Sequence, residues 1–420
     1  MTKPWLFGVV TLALATAPTS AETLRDAVLA AKASNPTLAS VQARQEAFGE
    51  TVAQARAAGR LTASANNGAG YDRFGYGKGG YAGVNIALPI WTGGRVSSTV
   101  RAAKADVASG NESVRDSEAV LLINVVAAYA EMLLYQQTVA IAEADIDLLD
   151  RQVAEAKARF ILGTSTRTDV ARLEAQRLSA IAALASANAT LDTTAAGYRA
   201  TVGHEPGKLV LPTAPLPSLP GTLDQARTRA LANNPLLRAS LRTADASAAR
   251  IEGARANGNP SVTLGAGYSY AESLKNGGTR GYPLSAAATL VLNVPILTGG
   301  LVASQVRQAR AAHRADLFDT DAQVRETTRA VDAAWAALIG ARAQIAADTA
   351  RVTAADLALK GVRAEYAFAL RTTLDILVAD ESLRAAQLSL ANDQSAALGA
   401  QAALLRATGS LTSAVFEGHD

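Results

Sequence analysis

LPIWTGG, residues 88–94, returns as VPILTGG, residues 294–300, at an offset of 206. Each copy stands between an alternating segment and a proline-free helical one. Upstream of the first, Val84, Ile86, Leu88 and Ile90 fall on one face of a period-two pattern, and Gly83, Asn85 and Ala87 on the other. Upstream of the second, the pattern over residues 284–296 puts Leu284, Leu290, Leu292, Val294 and Ile296 on one face, with Ser285, Thr289 and Asn293 opposite. Residues 262–270 alternate in the same way, and residues 61–71 do so more weakly. Downstream, Val125, Met132, Val139, Ile146, Val153 and Phe160 recur every seventh residue, as do Val331, Leu338, Ile345, Val352, Leu359 and Tyr366. That is a coiled-coil heptad. Residues 95–162 as one helix would span roughly 100 Å. Proline ends strand pairing and paired glycines permit a sharp turn. Pro89, Gly93 and Gly94, and Pro295, Gly299 and Gly300, therefore read as two strand-to-helix joints.

Working outward, the whole chain is written twice. Residues 24–36 match residues 223–235, with Asn35-Pro36 and Asn234-Pro235 at offset 199. The offset grows by seven in the glycine-rich region, then holds at 206 through Asp169 and Asp375 to Gly203 and Gly409. Each copy runs as a short helix ending at Asn-Pro, a helix of about twenty residues from Thr37 or Leu236, two strands, a very long helix, a break and a returning helix. The divisions are a signal peptide at 1–21, a first repeat at 22–203, a proline-rich linker at 204–222, a second repeat at 223–412 and a tail at 413–420. The signal reading rests on Lys3, an apolar run from Trp5 to Ala15, and small residues before a cut after Ala21. Beyond it, no uninterrupted apolar run reaches membrane-spanning length. Four strands cannot close a barrel alone, so membranous strands require several protomers to share one.

Composition narrows the function. The 420 residues are 49% hydrophobic but only 5% aromatic, which favours long helices in shallow contact. Aromatic residues gather near the strand ends, at Tyr71, Phe74, Tyr76, Tyr81, Trp91, Tyr268, Tyr270 and Tyr282, as at membrane interfaces. A net charge of +3 with interleaved signs gives no polyanion surface, and no nucleic-acid partner is expected. There is no cysteine. His204, His313 and His419 are scattered, and no catalytic grouping, metal cluster or cofactor motif stands out. GYGKGG at 75–80 spells a nucleotide loop, but a strand follows it where such a loop needs a helix. The chain reads as a non-enzyme without a cofactor.

The tandem repeat, the Asn-Pro pairs, the Pro-x-x-Thr-Gly-Gly joints, and the motifs FILGTSTRTDV (160–170) and YAFALRTTLDIL (366–377) together resemble the TolC-type outer-membrane efflux proteins. The resemblance covers nearly all of the chain after residue 21. It implies a mainly α fold with a membrane β-barrel. Three protomers would share a 12-stranded barrel, four strands each, above a long periplasmic α-helical barrel. It implies a homotrimer in outer-membrane lipid. The partners would be a periplasmic adaptor and an inner-membrane ABC or proton-driven pump, for tripartite efflux or type I protein secretion. It also implies a gate at the periplasmic helix tips. There Asp169 and Arg371 would link neighbouring hairpins, Tyr366 would reach the same carboxylate, and Asp375 would join an acidic ring. Ala369 stands where the family usually has glycine, and Val378 where members with a second acidic ring have aspartate. A periplasmic adaptor or a coiled-coil scaffold without a pore is the rival reading. The adaptor normally has one hairpin, and the scaffold needs no aromatic-rimmed strands.

Overall fold

The computed structural model describes residues 21–72, 77–212, 215–273, 284–368 and 370–417. The expected signal segment up to residue 20, and Phe74, Tyr76, Tyr282 and Ala369, lie outside them. The first repeat comprises α1 (Leu24–Ser34), α2 (Pro36–Gly49), α3 (Thr51–Ala57), β1 (Thr62–Asp72), β2 (Gly77–Trp91), α4 (Arg95–Ile161) and α5 (Arg167–Val202). The second comprises α6 (Leu223–Asn233), α7 (Pro235–Ala256), β3 (Ser261–Ser273), β4 (Leu284–Asn293), α8 (Leu301–Ala367) and α9 (Thr373–Ala407), followed by α10 (Ala414–Glu417).

The Asn-Pro pairs begin helices as well as ending them. Asn35 accepts from the backbone N–H of Thr37 and Leu38, both at 3.0 Å, with Pro36 at the first helical position. Asn234 caps α7 through Leu237 at 3.1 Å. Proline fits there because the first N–H of a helix has no partner to lose. The helix expected from Thr37 is divided at Glu50. Thr51 donates its hydroxyl to the Phe48 carbonyl at 2.7 Å, competing with the helical ladder beside Gly49. The second repeat has Ala248 and Arg250 at the corresponding positions, and α7 runs unbroken for 22 residues.

The long helices α4 and α8 each hold 67 residues, about 100 Å. Their heptad seams bury Val125, Met132 and Val153 in α4, and Val331, Leu338 and Leu359 in α8, whereas Phe160 is exposed. The main core surrounds the middle of α4. There Leu122, Val125, Val126 and Tyr129 meet α1, the end of α5, the linker residues Leu209 and Leu216, and Leu398, Ala402 and Leu405 of α9. Residues 414–417, expected as tail, form a short helix that seats Phe416 in this core. Glu22 pins the start of the described chain. Its N–H donates to the Lys208 carbonyl at 3.0 Å, and its carboxylate accepts from Tyr198 and from the Gly207 N–H. A smaller core of Ala226, Ala230, Val331, Leu338 and Leu404 repeats the arrangement in the second half. By length and composition alone α4 is apolar enough over one stretch to cross a membrane, which the sequence reading did not anticipate. Half of that stretch is buried in the protein.

The joints are tight turns. Arg95 N–H donates to Thr92 C=O at 3.1 Å across Gly93 and Gly94, whose φ values are 62° and 92°. Leu301 N–H donates to Thr298 C=O at 3.0 Å across Gly299 and Gly300, at 58° and 83°. Two successive left-handed residues match a type I′ turn. The prolines behave differently from expectation. Pro89 stays inside β2, paired with Thr263, and the register shifts between Pro89 and Trp91. β1 has already ended at the Thr62–Ala87 pair, so Pro89 has a neighbouring strand on one flank only and its missing N–H is tolerated. β4 stops at Asn293, short of the expected residue 296, and Pro295 lies beyond it.

Gly93 and Gly299 share nearly the same φ but differ in surroundings. A Cβ on Gly93 would lie 2.6 Å from Asn259 Cβ and 2.8 Å from the Pro260 carbonyl, while one on Gly299 meets nothing within 4 Å. Gly299→Ala should therefore show only the conformational cost, about 1–2 kcal/mol. Gly93→Ala should lower the thermal midpoint distinctly more. Equal midpoints would show that the close approach is relieved at no cost.

Candidate functional site

Two features carry the chemistry of this molecule: the sheet at one end of the helices and the helix tips at the other. The sheet is an antiparallel meander in the order β1-β2-β3-β4. Its central pair, β2 with β3, joins the two repeats. Register fixes which residues share a face. Rows such as Leu88–Leu264–Leu290, Ile86–Ala266–Ala288 and Val84–Tyr268–Ala286 cross the sheet on one side. Rows such as Asn85–Gly267–Ala287 and Gly83–Ser269–Ser285 cross on the other. One face is thus apolar and aromatic, and the other small and polar. The shift after Pro89 pairs Trp91 with Val262, which carries the indole onto the apolar face. These apolar residues are exposed on the protomer: Leu264 by 40%, Tyr268 by 53% and Leu290 by 67%. Strands of 10 to 15 residues suit a tilted membrane crossing. An apolar outer face with a polar inner face is the pattern of a membrane barrel.

The tips are built by a repeated Thr-x-x-Asp capping box. Thr166 caps α5: its hydroxyl accepts from Asp169 N–H at 3.1 Å, and Asp169 Oδ2 accepts from Thr166 N–H at 3.1 Å and from its hydroxyl at 2.7 Å. Thr372 caps α9 likewise, and Asp375 Oδ2 accepts from its N–H and hydroxyl at 2.8 Å each. The Thr166 hydroxyl and N–H hold the Asp169 carboxyl below the usual carboxylate range, and Thr372 does the same for Asp375. Both boxes use Oδ2, leaving Oδ1 of each carboxylate outside the cap.

Of the residues singled out from sequence, Tyr366, Arg371 and Asp375 lie at the second tip and Asp169 at the first. Within the protomer Arg371 donates to Glu365 at 2.6 Å, an ion pair inside its own hairpin. Tyr366 OH is 3.4 Å from Thr373 Oγ1, and the Arg159 guanidinium sits 4.5 Å from the Tyr366 ring centroid, joining α4 to α8. Neither Glu365 nor Arg159 stood out in the sequence, since both sit in ordinary alternating charge. Ile161, Leu162, Phe368 and Leu370 are exposed by 73% or more at the two tips.

Just above the tips lies a buried polar cluster that sequence reasoning missed. Asp380 on α9 is 8% exposed and lies beside the Asp145 carboxylate of α4. Arg384 approaches Asp145 at 3.8 Å and also pairs with Glu381, and Arg363 of α8 contributes its charge. Burial and the Asp145 carboxylate push the Asp380 carboxyl up to about 7.

The outer membrane efflux protein model matches residues 27–204 and 226–410, one segment in each repeat. The chain belongs to that family. Outer membrane efflux protein BepC of Brucella suis biovar 1 is 33% identical over 394 residues, covering 93% of this chain and 86% of that one. Outer membrane protein TolC of Vibrio cholerae is 27% identical over 326 residues, covering 74% of each. The crystal structure of CusC superposes with a TM-score of 0.81 at 18% identity, covering 92% of both chains, and shows a common fold. The protein is an outer-membrane efflux channel component. Its sheet is the membrane part and its helices extend into the periplasm.

Two outcomes follow from this geometry. Tyr268→Arg places a charge on the lipid-facing side near the middle of β3 and should cost about 2–4 kcal/mol of folding stability. Ser269→Arg, at similar depth on the polar face, should fold near the wild-type level in a bilayer folding assay, and equal losses would remove the assignment of faces. The Asp380 proton gives a pH dependence of definite sign. Native Asp380 holds its proton up to about pH 7, whereas an unfolded aspartate releases it near pH 4. Stability is therefore lost as pH rises through that window. The thermal midpoint should rise from pH 8 to pH 5, and Asp380→Asn should flatten that slope.

Proposed function

We propose that three copies of this chain form one channel-tunnel that serves as the exit duct for an inner-membrane pump, reached through a periplasmic adaptor. The observation that carries this reading is the four-stranded sheet with free edges. β1 leads away from the helices and β4 leads back, so the two edges run in opposite directions. The β1 edge of one copy can pair antiparallel with the β4 edge of the next. Rotational repetition then closes the barrel with every backbone group paired. The apolar tips formed by Ile161, Leu162, Phe368 and Leu370 are the surface offered to the adaptor.

The gate belongs to the same reading. Asp169 Oδ1 is the acceptor that Arg371 of a neighbouring hairpin would engage in the closed tunnel, with Tyr366 beside it. Arg371 would exchange Glu365 for Asp169 between the open and closed arrangements, which makes the tip a two-state element. Asp375, held ionised by its cap, supplies one carboxylate per copy to the constriction, and such a ring favours cations.

Single-channel conductance in planar bilayers tests both parts. The wild type should give small, cation-selective currents, and Arg371→Ala larger ones. Asp169→Asn should reproduce the increase, whereas Glu365→Gln should not. Larger currents from Glu365→Gln alone would move the latch into the single hairpin, and folded protein that never forms channels would sink the duct.

A further inference from the structure

The overall charge of +3 conceals an uneven distribution. Consider the ten residues that lead into β1 and β3, 52–61 and 251–260, and the first ten of α4 and α8, 95–104 and 301–310. They contain eight basic residues, Arg56, Arg60, Arg95, Arg101, Lys104, Arg255, Arg307 and Arg310, and one acidic residue, Glu252. All eight basic residues are exposed. Arg255 is paired with Glu252, and the other seven have no ion-pair partner among the described residues. The ten helical residues flanking each side of the two tips carry six basic and seven acidic residues. The excess is therefore confined to the sheet end. It is also written twice: Arg56 and Arg255 correspond at offset 199, and Arg101 with Arg307 and Lys104 with Arg310 at offset 206.

The positions fit a membrane surface. The interfacial layer is about 5–7 Å thick on each side of the hydrocarbon core. Arg60 stands two residues before β1 and Arg95 four residues after β2. The others lie within about 15 Å along their helices, a distance closed by a long side chain and a Debye length of about 8 Å. Between α2, α3, α4 and α7 the belt opens into a groove of about 440 Å³, whose lining includes Phe48, Arg95, Ser98 and Asn257 together with the Arg250–Asp106 ion pair at 2.6 Å.

We propose that this belt binds anionic phospholipid headgroups of the periplasmic leaflet. The proposal rests on the membrane placement of the sheet. Electrostatic attraction would fix the depth of the barrel at its inner rim, while the apolar strand face fixes it in hydrocarbon.

The test is thermal unfolding of the purified chain in neutral detergent, titrated with phosphatidylglycerol, phosphatidylcholine or inorganic phosphate. Phosphatidylglycerol should raise the midpoint, less so at high salt, and the other two should not. In the variant Arg101→Gln, Lys104→Gln, Arg307→Gln, Arg310→Gln, the half-effective lipid concentration should rise about tenfold or more. A variant with Arg101→Lys, Arg307→Lys and Arg310→Lys should keep the wild-type titration, as should neutralisation of Lys157, Arg167, Arg172 and Lys360 at the tips. If the fourfold variant does not fold, Arg307→Gln with Arg310→Gln serves in its place. Equal responses to the two lipids, an unchanged titration in the neutralised belt, or reproduction by inorganic phosphate would each overturn the proposal. Channel formation in bilayers, scored separately, shows whether a failure lies in the belt or in the membrane placement beneath it.

Discussion

A backbone N–H or C=O left unpaired in hydrocarbon costs several kcal/mol, and β1 and β4 each present a full edge of such groups. No rearrangement of a single chain removes them, because four strands are too few to close. The even strand number is what makes closure by copies feasible. An odd number would bring parallel edges together at every protomer boundary. The tandem repeat supplies that even number directly, one hairpin from each half, and the β2–β3 pairing makes the two halves one sheet.

The second constraint is the change of wall. Strands in a barrel and helices in a bundle differ in direction and twist, so the chain must turn abruptly where one becomes the other. Thr-Gly-Gly does this in three residues by placing two consecutive residues in the left-handed region, at 62° and 92° in one joint and 58° and 83° in the other. The two joints are alike in backbone but not in surroundings. Asn259 donates to the Gly93 carbonyl at 2.7 Å, so the first joint is tied to the turn that opens β3. The second faces open space. Near-identical sequence thus yields one buttressed joint and one free one, because only the first lies against the other repeat.

Much of this was legible in the sequence for a physical reason: helices and strands of this length repeat their local pattern many times. The heptads of α4 and α8 and the alternation of β2 and β4 are signals of that kind. What stayed hidden depends on partners distant in the chain. The pairing of Val84 with Tyr268 spans two long helices. The register shift that places Trp91 on the apolar face exists only relative to β3. The contact of Asp145 with Asp380 sets together two residues that look like surface charges within their own helices. Asp169 and Asp375 stand out in the sequence as tip carboxylates, whereas their part in the caps of α5 and α9 shows in the structure. The basic belt is invisible in the whole-chain charge of +3 and emerges only when residues are sorted by distance from the strands.

Stability along the helices is graded in a way that bears on gating. The core around Tyr129 joins α1, α4, α5, the linker, α9 and α10, whereas the cluster nearest the tips consists of Val153, Ala156 and Leu173, with Val170 and Leu377 beside it. Between them sit the Asp145–Asp380 pair and a buried Gln152 amide without a hydrogen-bond partner among the described residues. Elements held by few apolar contacts open at a fraction of the global unfolding cost. Under the proposed gate, the tips would rearrange while the middle of the tunnel stays intact, with the capping boxes holding the first turns of α5 and α9 helical. A gate built this way needs no hinge in the long helices. As proposed, it would need only that the Arg371–Glu365 ion pair and the Arg159–Tyr366 contact at the tips exchange partners while the caps hold.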